Sequence, residues 1–331
     1  MGVYTIEHGY RKNRRWPLVC FAILLLPAVT YLAISSSSNN QPPPQEVAAQ
    51  LLSQPASVLP AVQQLKITSP LPWPSYGQAA YGVADDGVLA QSKDEVEAVP
   101  IASLAKVITA LAVLRQKPLA PGEQGPIITL TEEDIASYRE YVAKSGTVVQ
   151  VEVGEQITQY QVLQAMLMPS ANNMSDTLAR WAFGSVDDYN AYANDMLKEL
   201  GFSKTIIADA SGYSTDTKST ADEMVKIGLL YMQNPVLQEI AGQPKATIPF
   251  AGVIYNNNAA INQDGIVGLK IGYTEAAGST FLAADVRGGD KDRMSVVAVL
   301  GANNLGAAMK DAKTLLRSGN NGHDELAKDS P

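Results

Sequence analysis

Ser103-Leu104-Ala105-Lys106 places a hydroxyl and an amine three residues apart. Residues at that spacing lie on one face of a helix, so the lysine can reach the serine. The stretch from Ser103 to Arg115, with Leu104, Val107, Ile108, Leu111, Ala112 and Leu114, is apolar almost all round and predicts a helix buried in a core. A serine at a helix N-terminus gains from the positive end of the dipole, which stabilises a developing alkoxide or oxyanion. An amine held in an apolar wall is costly to keep charged, so its pKa falls and it can take the serine proton. The same residues also suit an ordinary helix start, with serine as cap and lysine on the surface.

Two further clusters could share that chemistry. Ser170-Ala171-Asn172 follows Met168-Pro169. The proline breaks the preceding helix, so the next turn can present its side chains to a cleft. There Ser170 would pass a proton between lysine and leaving group, and Asn172 would hold a substrate amide or orient Lys106. Lys270-Ile271-Gly272-Tyr273-Thr274 reads as a strand whose glycine permits close backbone approach. An extended peptide could pair with it, leaving the Tyr273 N–H as an oxyanion donor and Lys270 facing a substrate carboxylate. Each cluster has its own control. Ser-x-Asn recurs at Ser37-Ser38-Asn39 and Ser318-Gly319-Asn320, and Lys-Ile-Gly recurs at Lys226-Ile227-Gly228 within a predicted helix.

Composition removes the competing chemistries. Both histidines, His8 and His323, lie in the terminal flanks, and the one cysteine, Cys20, lies inside an apolar run. A Ser-His-Asp triad, a Cys-His pair, a His-bearing zinc site and a disulfide framework therefore lack residues in the body. Lysine is the base that remains. The net charge is −8, although residues 1–40 carry Arg11, Lys12, Arg14 and Arg15 against Glu7 alone, so the body is more acidic than the total. An acidic body argues against a nucleic-acid partner.

The surrounding elements follow from pattern. Trp16 to Ile34 is free of charge and follows the basic cluster, which predicts a transmembrane signal-anchor at 16–34 with residues 1–15 cytoplasmic. A cleaved signal peptide is the alternative, and either leaves the body exported. Residues 35–73, rich in Ser, Asn, Gln and Pro, read as a linker. Within the body, strand-like residues flank the turn Asp85-Asp86-Gly87 between Ala79 and Gln91. Helices are predicted over Tyr160–Met168, Asn172–Trp181, a segment opened by Ser185 and Asp188 and closed by Gly201, and one opened by Thr220 and Glu223 that runs to Gln233. Thr280–Val286 and Met294–Leu300 read as a hairpin about Gly288-Gly289-Asp290, and Ala307–Leu316 as a helix. Residues 318–331 are polar and predict a disordered tail. Together these predict an α+β domain over 74–317. Its mainly antiparallel sheet is built from both chain ends, flanked by helices, with a helical lobe inserted.

Ser-x-x-Lys, Ser-x-Asn and a Lys-x-Gly strand, in that order, resemble the signature set of the β-lactamases and penicillin-binding proteins. The surroundings resemble the D-alanyl-D-alanine carboxypeptidase branch: Pro100-Ile101-Ala102-Ser103, Met168 to Asn172, Asp209-Ala210-Ser211-Gly212, and Asp264 through Lys270 to Gly278. The likeness runs from about Ser75 to Arg317. It implies an acyl-enzyme cycle on peptidoglycan stem peptides, with Ser103 as nucleophile, Lys106 as base, Ser170 and Asn172 assisting, and Lys270, Gly272, Tyr273 and Thr274 binding substrate. β-Lactams would acylate the same serine, and no cofactor is implied. Two positions depart from the pattern. Ile271 stands where relatives carry threonine or serine, and Ala308 or Met309 stands where many carry an arginine. A catalytically weak penicillin-binding or sensing module is therefore an alternative. A β-lactamase is another, although Thr205–Gly212 offers Asp209 and no glutamate to activate water. A signal-peptidase-like Ser–Lys protease would leave the second and third clusters unexplained.

Overall fold

In the computed structural model of the chain, residues 70–329 are described, apart from 85, 95, 259–262, 264 and 287–293, with side chains as far as 321. The expected anchor at 16–34, the Ser-x-Asn copy at Ser37 and the Gly288-Gly289-Asp290 turn lie outside these residues. Among the described residues no helix is long and apolar enough to cross a membrane.

Apolar strands buried on both faces build the centre of the sheet. β1 (Gln78–Val83) and β2 (Gly87–Gln91) join through a turn in which Gly87 takes a left-handed φ of 69°. After the short β3 (Val99–Pro100), helix α1 (Ala105–Gln116) enters the core. Next come β4 (Ile127–Thr129), α2 (Glu132–Ala143) and β5 (Gln156–Thr158), three elements that sequence pattern alone did not assign. The helical lobe continues with α3 (Gln159–Leu167), α4 (Asn172–Phe183) and α5 (Val186–Glu199). Then follow β6 (Lys218–Ser219), α6 (Ala221–Gln233), α7 (Pro235–Gly242) and the hairpin β7 (Lys245–Ile248) and β8 (Gly252–Tyr255). Three long strands, β9 (Ile266–Thr274), β10 (Gly278–Val286) and β11 (Met294–Ala302), precede α8 (Leu305–Asp329).

The five-stranded sheet has the order β2-β1-β11-β10-β9 and is antiparallel throughout. Both faces are covered, and the period of two divides the residues between them. Tyr81, Phe281, Ala283, Val297 and Val299 pack with Ala308, Ala312 and Leu315 of α8. Ala80, Leu282, Ala284, Val296 and Ala298 face the core shared with α1, α6 and the helical lobe. Register fixes the functional strand as well. Lys270 pairs with Leu282 and Gly272 with Thr280, while Ile271 pairs with Phe281. Lys270 and Gly272 therefore lie on the helical-lobe side, and Ile271 belongs to the α8 side.

Two expectations are corrected here. Residues 318–329, read as a disordered tail, continue α8. Gly319 lies against the Tyr81 ring, and Asn320 is buried, accepting from the Tyr81 hydroxyl at 2.7 Å and donating to Asp285 at 2.9 Å. Contacts with the sheet override the poor helix propensity of Ser, Gly and Asn. Thr220 also does not cap α6 with its side chain; its hydroxyl donates to Asp222 at 2.6 Å, and Glu223 turns instead to Lys204 N and the Thr205 hydroxyl. Ser185 does cap α5, accepting from Asp188 N at 2.9 Å.

Candidate active site

Ser103 sits in a single 3-10 turn, Ala102–Leu104, that leads into α1. Ala102 holds a φ of 48°, a conformation that L-residues avoid and that persists only where surroundings impose it. Two glycines supply the surroundings. A Cβ on Gly212 would lie 1.8 Å from Ala102 O, and one on Gly272 would lie 2.9 Å from Ser103 N. The Thr280 hydroxyl ties the turn to β10, donating to Ile101 O at 3.2 Å. The serine is thus clamped between the 209–212 turn and β9 before any substrate is considered.

One helical turn along, Lys106 is 0 % exposed. Its Nζ donates to Ser103 Oγ at 3.0 Å, to Asn172 Oδ1 at 2.7 Å and to Ser211 O at 2.7 Å. All three acceptors are neutral. Burial lowers its pKa to about 7, against the opposing pull of Asp209 and Asp176. Near neutral pH a substantial fraction of the amine is therefore free to accept a proton. Lys270, 2 % exposed on β9, has its pKa held well below the usual lysine value by burial and by the charge of Lys106. Its Nζ donates to Ile271 O at 2.9 Å.

Ser170 and Asn172 come from the break between α3 and α4. After Pro169 the chain turns through a left-handed Ser170, φ 71°, and α4 begins at Asn172. Asn257 pins this turn, its N–H on Met168 O at 2.9 Å and its Nδ2 on Pro169 O at 2.7 Å. Asn172 N donates to Thr147 O at 2.7 Å, which holds the 145–147 loop beside it.

Ser103, Ser170, Asn172, Gly272, Tyr273 and Thr274 line one cleft of about 260 Å³. Ser145–Thr147 and Tyr213 contribute to the same lining, as do Ile271 and Leu305. Tyr273 is 67 % exposed, and Thr274 Oγ1 accepts from Ala277 N at 3.1 Å, shaping the turn into β10. β9 is the last strand of the sheet, so its outer edge can take an extended peptide. The structure thus brings all eight predicted residues to one region, although Lys106 and Lys270 stand behind the cleft surface. The copies separate cleanly: Lys226 lies on α6, 3.5 Å from Asp222, and Ser318-Gly319-Asn320 lies within α8.

Residues not assigned a role from sequence complete the site. The Asp209 carboxylate organises its turn, accepting from the hydroxyls of Ser211 at 2.7 Å and Thr217 at 2.5 Å and from Tyr213 N at 2.8 Å. That turn presents Ser211 O to Lys106. The Asp-Ala-Ser-Gly run carried a turn signal, but nothing in it announced that a main-chain carbonyl would be the contact. Tyr141, Asn257 and Thr147 had no local signal. Among the described residues no group of three His, Cys, Asp or Glu side chains is placed to hold a metal ion.

An α+β fold with a serine and a buried lysine between a helical lobe and a β-strand edge has the parts that Ser–Lys acyl transfer requires. The profile of the D-alanyl-D-alanine carboxypeptidases (peptidase S11) matches residues 84–304, and the chain belongs to that family. A D-alanyl-D-alanine carboxypeptidase of Mycobacterium tuberculosis is 30 % identical over 226 residues, covering 65 % of this chain and 71 % of the relative. A crystal structure of a carboxypeptidase from the same organism superposes with a TM-score of 0.65 at 28 % identity, over 76 % of this chain and 92 % of that one. The Streptomyces K15 DD-transpeptidase, at 20 % identity and a TM-score of 0.67, shares the fold over 76 % of this chain and 99 % of its own.

Proposed function

We propose that this chain trims peptidoglycan stem peptides as a serine D-alanyl-D-alanine carboxypeptidase, through an acyl-enzyme on Ser103. The observation that carries the assignment is the fully buried Lys106 amine 3.0 Å from the Ser103 hydroxyl. Ser103 Oγ attacks the penultimate carbonyl carbon while its proton passes to Lys106. The negative oxygen is received by the N–H groups of Ser103 and Tyr273, in the manner of an oxyanion hole. As the C–N bond breaks, Lys106 returns the proton through Ser170 to the departing D-alanine amine. Water then attacks the ester, its proton goes to Lys106, and Ser103 leaves with it.

Asn172 orients the amine and, with Gly272 and Thr274, frames the peptide in the cleft. Ile271 offers no hydroxyl to a terminal carboxylate, so that contact falls to Thr274 and, from behind the strand, to Lys270. A β-lactam presents the same reactive carbonyl and acylates Ser103. The Asp209 carboxylate is engaged by four donors from Ser211, Tyr213 and Thr217, so it is not disposed to activate the deacylating water, which favours slow penicilloyl release over β-lactamase turnover. The charge-free run Trp16–Ile34 behind a basic flank supports attachment to the cell membrane, with the catalytic domain outside and the spacer ending before Leu71, which is buried in the core with Trp73 packed against it. Incubation with a pentapeptide ending in D-alanyl-D-alanine tests the reading. Release of free D-alanine by wild type and none by Ser103→Ala supports it. No release from either protein overturns it.

A further inference from the structure

Behind Lys106 lies a carboxylate that the acyl-transfer steps do not use. Asp176 sits one turn beyond Asn172 on α4, and residues four apart share a helix face. Asn172 holds the lysine, and Asp176 extends the same face toward α2. There it accepts from the Ser137 hydroxyl at 2.7 Å and, more distantly, from the Tyr141 hydroxyl at 3.5 Å. Tyr141 OH also lies 3.2 Å from Ser211 Oγ, in the residue whose carbonyl receives Lys106. Lysine, asparagine, tyrosine and Ser211, all buried, thus form one polar patch behind the cleft with the half-buried aspartate.

We propose that Asp176 is a positioning residue for the catalytic base: its charge, held in place by Ser137 and Tyr141, sets how tightly Lys106 keeps its proton. The inference rests on the catalytic reading of Ser103 and Lys106. The groups facing Lys106 are few. Asp209 and Asp176 favour the ammonium form, and Lys270 on β9 stands on the other side as a second amine. The two carboxylates differ in kind. Asp209 is bound by Ser211, Thr217 and Tyr213 within its own turn. Burial raises the pKa of Asp176 to about 6, against the Ser137 hydrogen bond and the field of Arg180, so its charge changes just below the range in which Lys106 titrates. Arg180, one turn further along α4, is committed to Asp134 at 2.7 Å and lies 3.8 Å from Glu133. Glu140, on the Tyr141 side, is paired with Lys144.

The sign follows directly. An ionised Asp176 stabilises the ammonium and delays release of the free amine as pH rises. A neutral side chain there removes that pull, so Lys106 becomes a competent base at lower pH. Each half unit of displacement is worth roughly threefold in free amine on the acid side of the midpoint.

The test is the rate of Ser103 acylation by a fluorescent penicillin as a function of pH, in wild type, Asp176→Asn and Ser137→Ala. Asp176→Asn is expected to move the acidic limb to lower pH and to react faster than wild type on that limb, by less than about twofold because Asp176 is itself partly protonated there. Ser137→Ala removes a donor that favours the ionised carboxylate, so its limb moves the same way by less. A rate lowered evenly at every pH, with the limb unmoved, marks a merely structural role and overturns the proposal. Should Asp176→Asn fail to fold, an unmoved limb in Ser137→Ala overturns it equally. Absence of labelling in wild type would instead remove the catalytic reading itself, and this inference with it.

Discussion

At the scale of single residues the chemistry depends on one amine kept dry. Lys106 has three acceptors, none of them ionised, and it is burial, against the pull of Asp209 and Asp176, that leaves it partly unprotonated near neutrality. Lys106→Ala therefore keeps the nucleophile but removes the base, and Ser103 acylation by penicillin should slow by about 10²–10⁴-fold, the usual worth of a positioned general base. Stopped-flow labelling checks this, and a variant within a factor of a few of wild type would exclude lysine as base. Arginine should not rescue the loss, because a guanidinium does not give up its proton in proteins. Most of this was legible in the sequence, since an apolar helix leaves a lysine at its start nowhere wet to go. The Ser211 carbonyl and the Asp176 carboxylate were not legible. A carbonyl has no sequence signature, and a lone aspartate on a helix reads as a solvated surface residue until the helix is packed.

At the scale of elements, the site is the meeting of three backbone breaks. The Ala102–Leu104 turn and the left-handed Ser170 hold conformations that tertiary contacts impose, whereas the Asp209–Gly212 turn is held by its own aspartate and a left-handed glycine. Sequence showed the proline and the glycines but not which breaks would converge. The helices α2 and α4 frame the lysine from behind, and besides Asp176 a second carboxylate, Asp134, joins them. Asp134 accepts Thr131 N at 2.8 Å at the start of α2, and from α4 the Thr177 hydroxyl at 2.6 Å and Arg180 Nη2 at 2.7 Å. Burial acts to raise its pKa, but those hydrogen bonds and the Arg180 charge outweigh it and the net shift is downward. A depressed aspartate contributes stability that is present above its unfolded value and is lost as pH falls through the folded one. Asp134→Ala should therefore cost about 3 kcal/mol at pH 7, and the difference from wild type should shrink as the solution is acidified below the ordinary carboxylate range. Urea unfolding at several pH values measures it. A penalty that stays constant down to strongly acid pH would show that the charge of Asp134 is not what joins the two helices.

At the scale of the whole molecule, the sheet is covered on both faces by segments remote from each other in the chain. Strand-like runs at both chain ends made the antiparallel sheet legible, an apolar pattern located α1, and capping residues, Pro169 and Gly201 marked the bounds of helices from α3 to α6. Periodicity failed at the C-terminal end, where the sequence is polar and rich in weak helix formers, because the contacts of Asn320 and Gly319 with Tyr81 are long-range. Truncation after Arg317 should accordingly destabilise the domain by about 0.5–1.5 kcal/mol, the net worth of the buried Tyr81–Asn320 hydrogen bond. A differential thermal melt reads the effect, and an unchanged midpoint would return residues 318–329 to the status of a dispensable tail. The central claim, that a neutral Lys106 activates Ser103, is tested most directly by the pH dependence of penicillin acylation, with the adduct located by mass spectrometry. A single adduct on Ser103 is expected, with a formation rate that is low in acid and rises through a midpoint of about 7, as the buried amine loses its proton. An adduct on another residue, or a rate that does not change between pH 5 and pH 8, would contradict it.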